Sequence, residues 1–379
     1  MESIFVKFKV LNDPRDIRGK RHKLSDILIM TIYGVLCGFT DFVNIADFLK
    51  LKEEYFTQLL GLKNGTPSHD CLSRVFAIID PKAFMRLFIE WIQAIVKEKG
   101  KYLAIDGKAI RSAIDKVNNG NVPYIVSAFL TDIGISVGEV KTDEKSNEIK
   151  AIPELLEILD IKDKIITIDA IGTQEKIVEK IIENKGTYVL KVKRNQEELL
   201  DDIKTYFDME YSENNLNIAY SDTKYEKNHG RIEKRQYYLS YETDCISNKE
   251  KWKSVKAIGK VTVYRNENGK ETTTDNYYIL GTKMTIDMFE KATRSHWNIE
   301  TQLHWRLDVI LDEDHSTNKQ GNSIENLSII RKIVFNLVRL DSSMGNNLTM
   351  RKKLTRYTLD FKNIENLVFN VIPYLDYKI

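Results

Sequence analysis

The sequence predicts an α/β protein with a mixed sheet at its centre, a helical N-terminal region and an antiparallel β insertion. Three observations carry this prediction. Residues 10–97 show apolar patterns with helical spacing, short buried apolar runs alternate with helices from Tyr102 onward, and residues 220–280 are rich in β-branched and aromatic side chains. The order of these regions defines the expected architecture.

Length and composition exclude several classes of protein. The chain has 379 residues, of which 42% are hydrophobic and 30% charged, so it can bury a core and is neither disordered nor collagen-like. The formal net charge of +2 neither demands nor excludes a nucleic-acid partner. Three widely separated cysteines without a C-x-x-C pattern argue against a disulfide framework or a cysteine zinc site, and favour the cytoplasm.

No membrane or export segment is expected. The N-terminus lacks an apolar run that ends in a cleavage site, so no signal peptide is predicted. The most apolar stretch, residues 27–39, is too short to cross a bilayer. We therefore expect a soluble protein without a membrane partner.

The N-terminal region is predicted to be a compact unit of helices. Ser25 and Asp26 can cap the first helix, and Ser68 can cap the fourth. Asp80-Pro81 ends that helix and begins the next one. The later helices are expected at residues 43–51, 53–60, 69–79 and 81–97.

From Tyr102 the pattern changes to strands connected by turns and helices. Short apolar runs predict strands at residues 102–106, 125–131, 135–140, 165–169 and 188–192. Helices are expected at residues 152–159, with Pro153 in the first turn, and 173–185, where Gly186 ends the helix. These elements predict the mixed sheet.

The insertion and the C-terminal part follow. Strands are expected at residues 235–240, 255–263 and 272–280, with a turn at 266–269. An amphipathic helix then starts after Thr285 and runs past Glu300, and the tail is predicted to be helical over residues 323–340 and 346–371.

Two aspartates are the first candidates for chemistry. Asp106 and Asp169 each stand at the end of a predicted buried strand, where a carboxylate requires a cation or hydrogen bonds. Two such strand ends side by side would suit a divalent metal between them. Each aspartate can equally cap the turn that follows it, and the two interpretations are of similar weight.

The helix after residue 285 supplies a third carboxylate. A spacing of four places His296, Glu300, His304 and Asp308 on one stripe, and an apolar side is expected from Trp297, Leu303 and Leu307. The stripe can also be an ordinary solvated face. The patterns H-E-x-x-H, G-x-S-x-G, P-loop and G-x-G-x-x-G are all absent. Carboxylates on two strands and a helix suit Mg²⁺ or Mn²⁺ and phosphodiester chemistry.

Several blocks of the sequence resemble the DDE transposases of bacterial insertion sequences, in the branch of the H-repeat-associated proteins. The resemblance runs from about Asp13 to Leu337, and many blocks occur in order. The blocks are Pro67-Ser-His-Asp70, Arg74-Val-Phe76, Ala104-Ile-Asp-Gly-Lys108, Lys145-Ser-Asn-Glu-Ile149, Thr167-Ile-Asp-Ala-Ile-Gly-Thr-Gln174, Lys193-Arg-Asn-Gln196, His229-Gly-Arg-Ile-Glu233, residues 294–305 and Leu307-Asp-Val-Ile-Leu-Asp-Glu-Asp314.

The resemblance implies a ribonuclease-H-like core, interrupted by the β insertion before the last acidic helix. It implies that Asp106, Asp169 and Glu300 are the catalytic triad and hold Mg²⁺ or Mn²⁺. The implied reaction is cleavage at the ends of a DNA element and strand transfer to target DNA by a homodimer. Arg194, Thr301 and Leu311 depart from the usual Gly, Asn and Phe, and none of these departures removes a carboxylate.

Basic residues are the candidates for binding double-stranded DNA. Lysines and arginines cluster before the first helix, and further candidates accompany the acidic blocks, where structural hydrogen bonds would explain them equally well. In the β insertion we expect the turn His229-Gly230-Arg231 to approach DNA. The alternative is that the insertion only packs a neighbouring subunit or shields the core. The full set is Arg15, Arg18, Lys20, Arg21, Lys23, Lys108, Lys193, Asn195, Arg231, Arg294 and His296.

The domain boundaries expected from the sequence divide the chain into four parts. Residues 1–97 form a helical, DNA-binding domain, 98–204 the first part of the catalytic core, 205–285 the β insertion, and 286–379 the completion of the core with the C-terminal helices. Two other functions remain open at this point: a metal-dependent nuclease without strand transfer, and a DNA-binding protein that has kept the fold without catalysis. The intact triad argues against the second.

Overall fold

The sheet and its surrounding helices have the predicted class and order. The computed structural model describes residues 3–97, 99–111, 122–142, 147–212, 218–223, 225–228, 230–316, 318–345 and 347–370. Within these residues, ten strands form a mixed sheet against which helices pack. The helical N-terminal region, the ribonuclease-H-like sheet and the antiparallel β insertion are all confirmed.

In the described part of the chain, six helices precede the sheet, one more than the sequence predicts. α2 is buried along its whole length, because most of its residues are apolar on every face. It packs against α1, α3 and the later helix α12 (Ser323–Leu340). It begins at Leu24, so Ser25 and Asp26 do not cap it, and their side chains hydrogen-bond to each other inside the helix. The helices are α1 (Ile4–Phe8), α2 (Leu24–Leu36), α3 (Phe42–Leu51), α4 (Glu53–Leu60), α5 (His69–Ile78) and α6 (Pro81–Val96).

The other predicted caps are confirmed. Ser68 Oγ accepts a hydrogen bond from the backbone N–H of Cys71 at the start of α5. Asp80 caps α6 in the same way, and Pro81 occupies the first turn, where its missing N–H is not needed.

The first five strands form the ribonuclease-H-like part of the sheet, in the order β3-β2-β1-β4-β5. β1 and β4 pair in parallel, as do β4 and β5, whereas β2 and β3 are antiparallel to their neighbours. Helices α7 (Glu148–Ile158) and α8 (Glu175–Glu183) connect the parallel strands. The strands are β1 (Tyr102–Ala109), β2 (Tyr124–Leu130), β3 (Ile135–Thr142), β4 (Ile165–Ile168) and β5 (Thr187–Val192).

Several boundaries differ from the sequence prediction, among them the end of β1 and the start of α7. β1 continues to Ala109, so Asp106 lies within the strand and not at its end; β2 pairs with it along this extra length. α7 begins at Glu148, which places Pro153 inside the helix rather than in its first turn. Tertiary pairing and packing override these local signals.

The β insertion continues the same sheet. β10 pairs antiparallel with β5, and β9, β8 and β6 follow outward, while the short β7 pairs with β8. The predicted turn between β9 and β10 contains Asn268 and Gly269, both with positive φ. The elements are α9 (Glu197–Ser212), β6 (Ile218–Asp222), β7 (Glu226–Asn228), β8 (Arg231–Ser240), β9 (Ala257–Glu267) and β10 (Lys270–Leu280).

The C-terminal helices complete the core. α12 is buried along almost its whole length and packs against α2, α5, α6 and β3, so it joins the N-terminal helices to the sheet. The helices are α10 (Ile286–His296), α11 (Trp305–Val309), α12 (Ser323–Leu340), α13 (Met350–Leu359) and α14 (Lys362–Phe369), with a π-helical run at Ile299–His304 between α10 and α11. Of the helices in the described residues, none combines the length and the apolarity that a membrane span requires.

Candidate active site

Three carboxylates approach one cavity from three elements. Ile105 of β1 pairs with Ile168 of β4, so the next residues along these adjacent parallel strands are Asp106 and Asp169. Glu300 approaches from the π-helical run after α10. All three side chains line a cavity of about 310 Å³, together with Lys193 and His296.

The cavity holds more negative charge than its surroundings compensate. Burial, followed by the charge of Glu300, raises the pKa of Asp106 to about 7. Burial and the charge of Asp169 raise the pKa of Glu300 above its ordinary value. Asp169 is different: burial would raise its pKa, but the backbone N–H of Ala170 and the Lys193 amine lower it. An added cation would therefore favour the ionised forms of Asp106 and Glu300 most.

The donor set is suited to a hard divalent cation. Carboxylate oxygens are the ligands that Mg²⁺ and Mn²⁺ prefer, and the raised pKa values of Asp106 and Glu300 reflect negative charges that a cation would stabilise. Among the described residues, no three His, Cys, Asp or Glu side chains are close enough to form a ready-made metal site. The carboxylate side chains are of the type that binds a divalent ion, but they must move closer together to coordinate one.

The π-helical run changes the relative orientation of the side chains in the predicted stripe of His296, Glu300, His304 and Asp308. The N–H of Trp305 bonds to the carbonyl of Glu300, five residues earlier, which widens the helix at this carboxylate. Leu303 and Leu307 are buried as predicted, but Trp297 is 60% exposed and lies at the rim of the cavity, so its expected place on the apolar side is wrong. The extra residue in the turn rotates the two halves of the stripe relative to each other.

Two histidines of the stripe are neutral and face the aspartate strands. His296 Nδ1 lies 3.0 Å from Thr167 Oγ1 on β4, and burial lowers the pKa of His296 to about 4. His304 Nδ1 lies 3.6 Å from Asp106 Oδ2, and burial followed by the charge of Lys108 lowers the pKa of His304 to about 3. Both imidazole rings therefore lie against the strands that carry Asp106 and Asp169 without adding positive charge.

The block Lys193-Arg-Asn-Gln196 holds the loop that follows β4. Lys193 Nζ lies 3.3 Å from Asp169 Oδ1, and Asn195 Nδ2 donates to the carbonyl of Ala170 at 2.9 Å. Gln196 Nε2 donates to the carbonyl of Thr173 at 3.0 Å. The structure thus brings Lys193 to the cavity and gives Asn195 a hydrogen bond that fixes the loop after Asp169.

Lys108 lies in a different environment, which we name the buried charge network: Lys108, Glu139, Asp308, Glu313, Ser328 and Lys332. The Lys108 amine contacts Asp308 and lies 2.8 Å from Glu313 Oε2, and Lys332 pairs with Glu139. Only 11% of the Lys108 side chain is exposed. Its amine is directed into the protein, not toward a phosphate outside it.

Arg231 and Arg294 line a second cavity of about 760 Å³, beside the first. Arg294 Nη2 lies 2.6 Å from Glu226 Oε1, and Arg231 lies near Glu233 and Glu267. Gly230 has a positive φ of 80° and open space where a side chain would be, as a close backbone approach requires. His229, the first residue of the predicted turn, lies outside the described residues.

The N-terminal basic cluster divides into two kinds of residue. Arg15 forms a two-pronged ion pair with Asp13, donates to the carbonyl of His22, and has a side chain only 10% exposed. Arg18, Lys20, Arg21 and Lys23 are exposed, although Lys20 also contacts the carbonyl of Asp13. A further basic run, residues 351–353, lies near the C-terminus. Its Lys353 is buried and donates to the carbonyls of Val338 and Asp341, so it is not a surface charge.

Glu148 is a site residue that the sequence pattern alone does not single out. It is buried at the start of α7, and its charge contributes to the raised pKa of Asp106. Gly107, next to Asp106, leaves the space that Glu148 and Tyr124 occupy, since a Cβ there would collide with both. In the sequence, the only pointer to Glu148 is its place in the block Lys145-Ser-Asn-Glu-Ile149, which resembles the transposase family.

Comparison with known proteins gives the family. The transposase DDE domain matches residues 103–337, and the region described as DDE_Tnp_1-associated matches residues 5–92. The first match alone covers more than half of the chain. The chain therefore belongs to the family of transposases with a DDE domain, and the class of enzyme is a DNA transposase.

Individual relatives agree with the predicted branch. The chain is 36% identical over 366 residues to the H repeat-associated putative transposase YhhI of Escherichia coli strain K12, which covers 95% of this chain and 96% of that protein. It is 38% identical over 344 residues to the putative transposase YncI of Escherichia coli O157:H7, covering 89% and 88%. Among solved structures, it resembles the piggyBac transposase in a cryo-EM synaptic complex with hairpin DNA, with a TM-score of 0.49, 12% identity, and coverage of 99% of this chain and 80% of that chain.

Proposed function

We propose that this protein is the transposase of an insertion sequence, which cuts DNA at the ends of its element and joins the freed 3′-hydroxyl ends to target DNA. The observation that carries the proposal is the meeting of Asp106, Asp169 and Glu300 at one cavity. Two adjacent parallel strands and a widened helical turn supply the three side chains. Membership in the DDE family supports their assignment as the catalytic triad.

In this proposal Asp106, Asp169 and Glu300 hold Mg²⁺ or Mn²⁺. The bound ions would supply an activated attacking oxygen and stabilise the leaving oxygen of an in-line phosphoryl displacement. The protein's own part is to orient the carboxylates. Asn195 fixes the loop after Asp169, and the neutral His304 faces Asp106 without adding positive charge. We assign to Lys193 a contact with the scissile phosphate, which its half-exposed position beside Asp169 supports.

The proposed partner is double-stranded DNA, as element end and as target, bound by a homodimer. We assign DNA recognition to the helical domain of residues 1–97 and catalysis to residues 98–204 together with 286–379. The exposed Arg18, Arg21 and Lys23 support the first assignment, because exposed cations are free to neutralise phosphates. The β insertion of residues 205–285 lies directly beside β5 and the cavity, which supports a role for it in holding DNA near the carboxylates.

Cleavage and joining of labelled element-end DNA test the proposal. We expect cleavage that requires Mg²⁺ or Mn²⁺ and that falls to background in Asp106→Asn, Asp169→Asn and Glu300→Gln, because each change removes a metal ligand while keeping the shape of the side chain. The affinity of these variants for DNA should change little. Glu183→Gln, an exposed carboxylate on α8, is the matched control and should cleave like the wild type.

The same assay separates the alternative functions. Cleavage without joining of a precut 3′-hydroxyl end would indicate a nuclease, and DNA binding without cleavage would indicate a protein that has lost catalysis. Near wild-type cleavage by one triad variant would remove that residue from the site.

A further inference from the structure

Four arginines line the second cavity, and we name it the arginine groove. Its charged walls are Arg231 and Arg235 of β8, Arg265 of β9 and Arg294 of α10, with Lys191 toward the carboxylates. It shares Lys191, Tyr278, Thr293 and Trp297 with the carboxylate cavity. The groove and the carboxylate cavity are therefore continuous.

Two glutamates engage all four arginines. Glu233 lies 2.7 Å from Arg265 Nε, 2.5 Å from Arg235 Nη2 and 3.7 Å from Arg231 Nη1. Glu226 lies 2.6 Å from Arg294 and 3.5 Å from Arg235. Glu267, at the outer end of the groove, also lies 3.4 Å from Arg231 Nη2. With Lys191 included, five cationic side chains among the described residues therefore face three carboxylates, which leaves a positive excess of two.

This excess is unfavourable for a purely structural ion-pair cluster. Arginines that share one carboxylate repel each other, and pairs that reach solvent contribute little to stability. The side chains of Arg231 and Arg265 are each 42% exposed, so an incoming ligand can reach them. A guanidinium group binds carboxylate and phosphate with the same two-pronged geometry, which makes phosphate the natural replacement for these glutamates.

We propose that the arginine groove binds the phosphodiester backbone of the DNA strand that leads into the carboxylate cavity, and that Glu226 and Glu233 are internal counterions which the DNA phosphates displace. The proposal rests on the function proposed above. Glu226 has less strand pairing around it than Glu233, because it stands on β7, a strand of three residues that, among the described residues, pairs with β8 alone. In the free protein the glutamates lower the affinity of the groove for DNA.

Neutralising a counterion tests the proposal directly. DNA binding is measured by fluorescence anisotropy with a labelled duplex of mixed sequence over a series of salt concentrations, with unfolding midpoints confirming that each variant is folded. Glu226→Gln should bind DNA roughly fivefold more tightly than the wild type, the equivalent of one exposed ion pair that no longer has to be broken. Glu157→Gln, which makes the same charge change beside Lys180 on another part of the surface, should stay within about twofold of the wild type.

The arginines should respond in the opposite direction. Arg265→Gln should weaken binding and lower the slope of log affinity against log salt by about one, because one phosphate contact is lost. The proposal is overturned if Glu226→Gln binds no more tightly than Glu157→Gln, or if Arg265→Gln leaves both affinity and slope unchanged.

The outcome is separable from that of the proposed function. Wild-type cleavage and joining of element ends together with unaltered DNA binding by the groove variants would reject the groove alone. Tighter binding by Glu226→Gln without any cleavage by the wild type would keep the groove as a phosphate site and reject the transposase chemistry.

Discussion

The carboxylate cavity and the buried charge network both contain residues of strand β1, but they differ in how many cationic partners their carboxylates have. In the network, Glu313 faces Lys108, and Glu139 faces Lys332, so each buried carboxylate has a cationic partner. In the cavity, burial and the charge of Glu300 raise the pKa of Asp106, and burial and the charge of Asp169 raise the pKa of Glu300, while the Lys193 amine pairs with Asp169. Asp106 and Lys108, two residues apart on β1, therefore belong to different kinds of charge cluster.

The pKa values of Glu313 and Asp106 differ in this sense, whereas burial keeps the pKa values of Glu139 and Asp308 above their ordinary values despite their lysine partners. Burial would raise the pKa of Glu313, but the charges of Lys108, Lys332 and Arg331 outweigh burial and hold it far below its ordinary value. The pKa of Asp106 is raised to about 7 because burial and the charge of Glu300 outweigh the groups that favour its ionised form. The cations around Glu313 therefore favour its ionised form, whereas the surroundings of Asp106 favour its protonated form unless a cation is added. This contrast distinguishes structural charge from functional charge.

The largest expected effect comes from breaking the matched pairs. Glu313→Gln should destabilise the protein by about 3–5 kcal/mol, because Lys108 and Lys332 then lose a buried partner. Urea unfolding at neutral pH measures the change. The double variant Lys108→Met with Glu313→Leu should lose less than the single variants together, since it leaves fewer unpaired buried charges. A loss below about 1 kcal/mol for Glu313→Gln would contradict a structural role for the network.

Neutralising Asp106, which has no direct cationic partner among the described residues of the cavity, should make the protein more stable rather than less stable. The folded protein holds a proton on Asp106 up to a pKa of about 7, whereas the unfolded chain releases it near 3.8, so this residue makes the protein less stable as pH rises between these values. At pH 8 the expected penalty is up to about 4 kcal/mol. Asp106→Asn should therefore be more stable than the wild type at pH 8, by about 1–3 kcal/mol, and nearly equal to it at pH 4.

Thermal unfolding at both pH values measures this difference, with and without Mg²⁺. Mg²⁺ should raise the unfolding midpoint of the wild type at pH 8 and have little effect on Asp106→Asn, because the ion would replace the missing positive charge. Glu183→Gln is the control for a general change of charge. An Asp106→Asn variant that is less stable than the wild type at pH 8 would show that Asp106 is already compensated.

The smallest expected effect extends the comparison to the basic residues at the N-terminus. Arg15 is matched by Asp13 and is mostly buried, whereas Arg18 is 96% exposed. Arg15→Ala should lose about 1–2 kcal/mol of unfolding free energy with little change in the salt dependence of DNA binding. Arg18→Ala should leave stability within about 0.5 kcal/mol and lower the salt slope by about one.

Urea unfolding and salt-dependent anisotropy provide the two measurements. A lower salt slope in Arg15→Ala would assign Arg15 to DNA despite its ion pair. An unchanged slope in Arg18→Ala, and in the combined neutralisation of Lys20, Arg21 and Lys23, would make this cluster an ordinary solvated terminus.

The sequence predicted most of the fold because its signals are local. Ser68, Asp80 and Pro81 begin helices by hydrogen bonds and backbone geometry within one turn, and the continuous apolar run before Asp169 is itself the pattern of a strand buried on both faces. The predicted end of β1 was wrong, because residues after Asp106 belong to the strand through their pairing with β2. The predicted position of Trp297 on the apolar side of the helix was also wrong. The prediction assumed a regular α-helix, whereas the turn at Glu300 is π-helical.

The sequence by itself determined the α/β class, the order of the regions, the family and the three carboxylates that line the cavity. Only the tertiary structure decided which charges are matched. Lys108 and Lys193 are both lysines in acidic blocks, yet one is enclosed by Asp308 and Glu313 and the other stays about half exposed beside Asp169. Residues 200 or more positions apart form those enclosing contacts, and the burial that shifts a pKa depends on the packing of the whole chain.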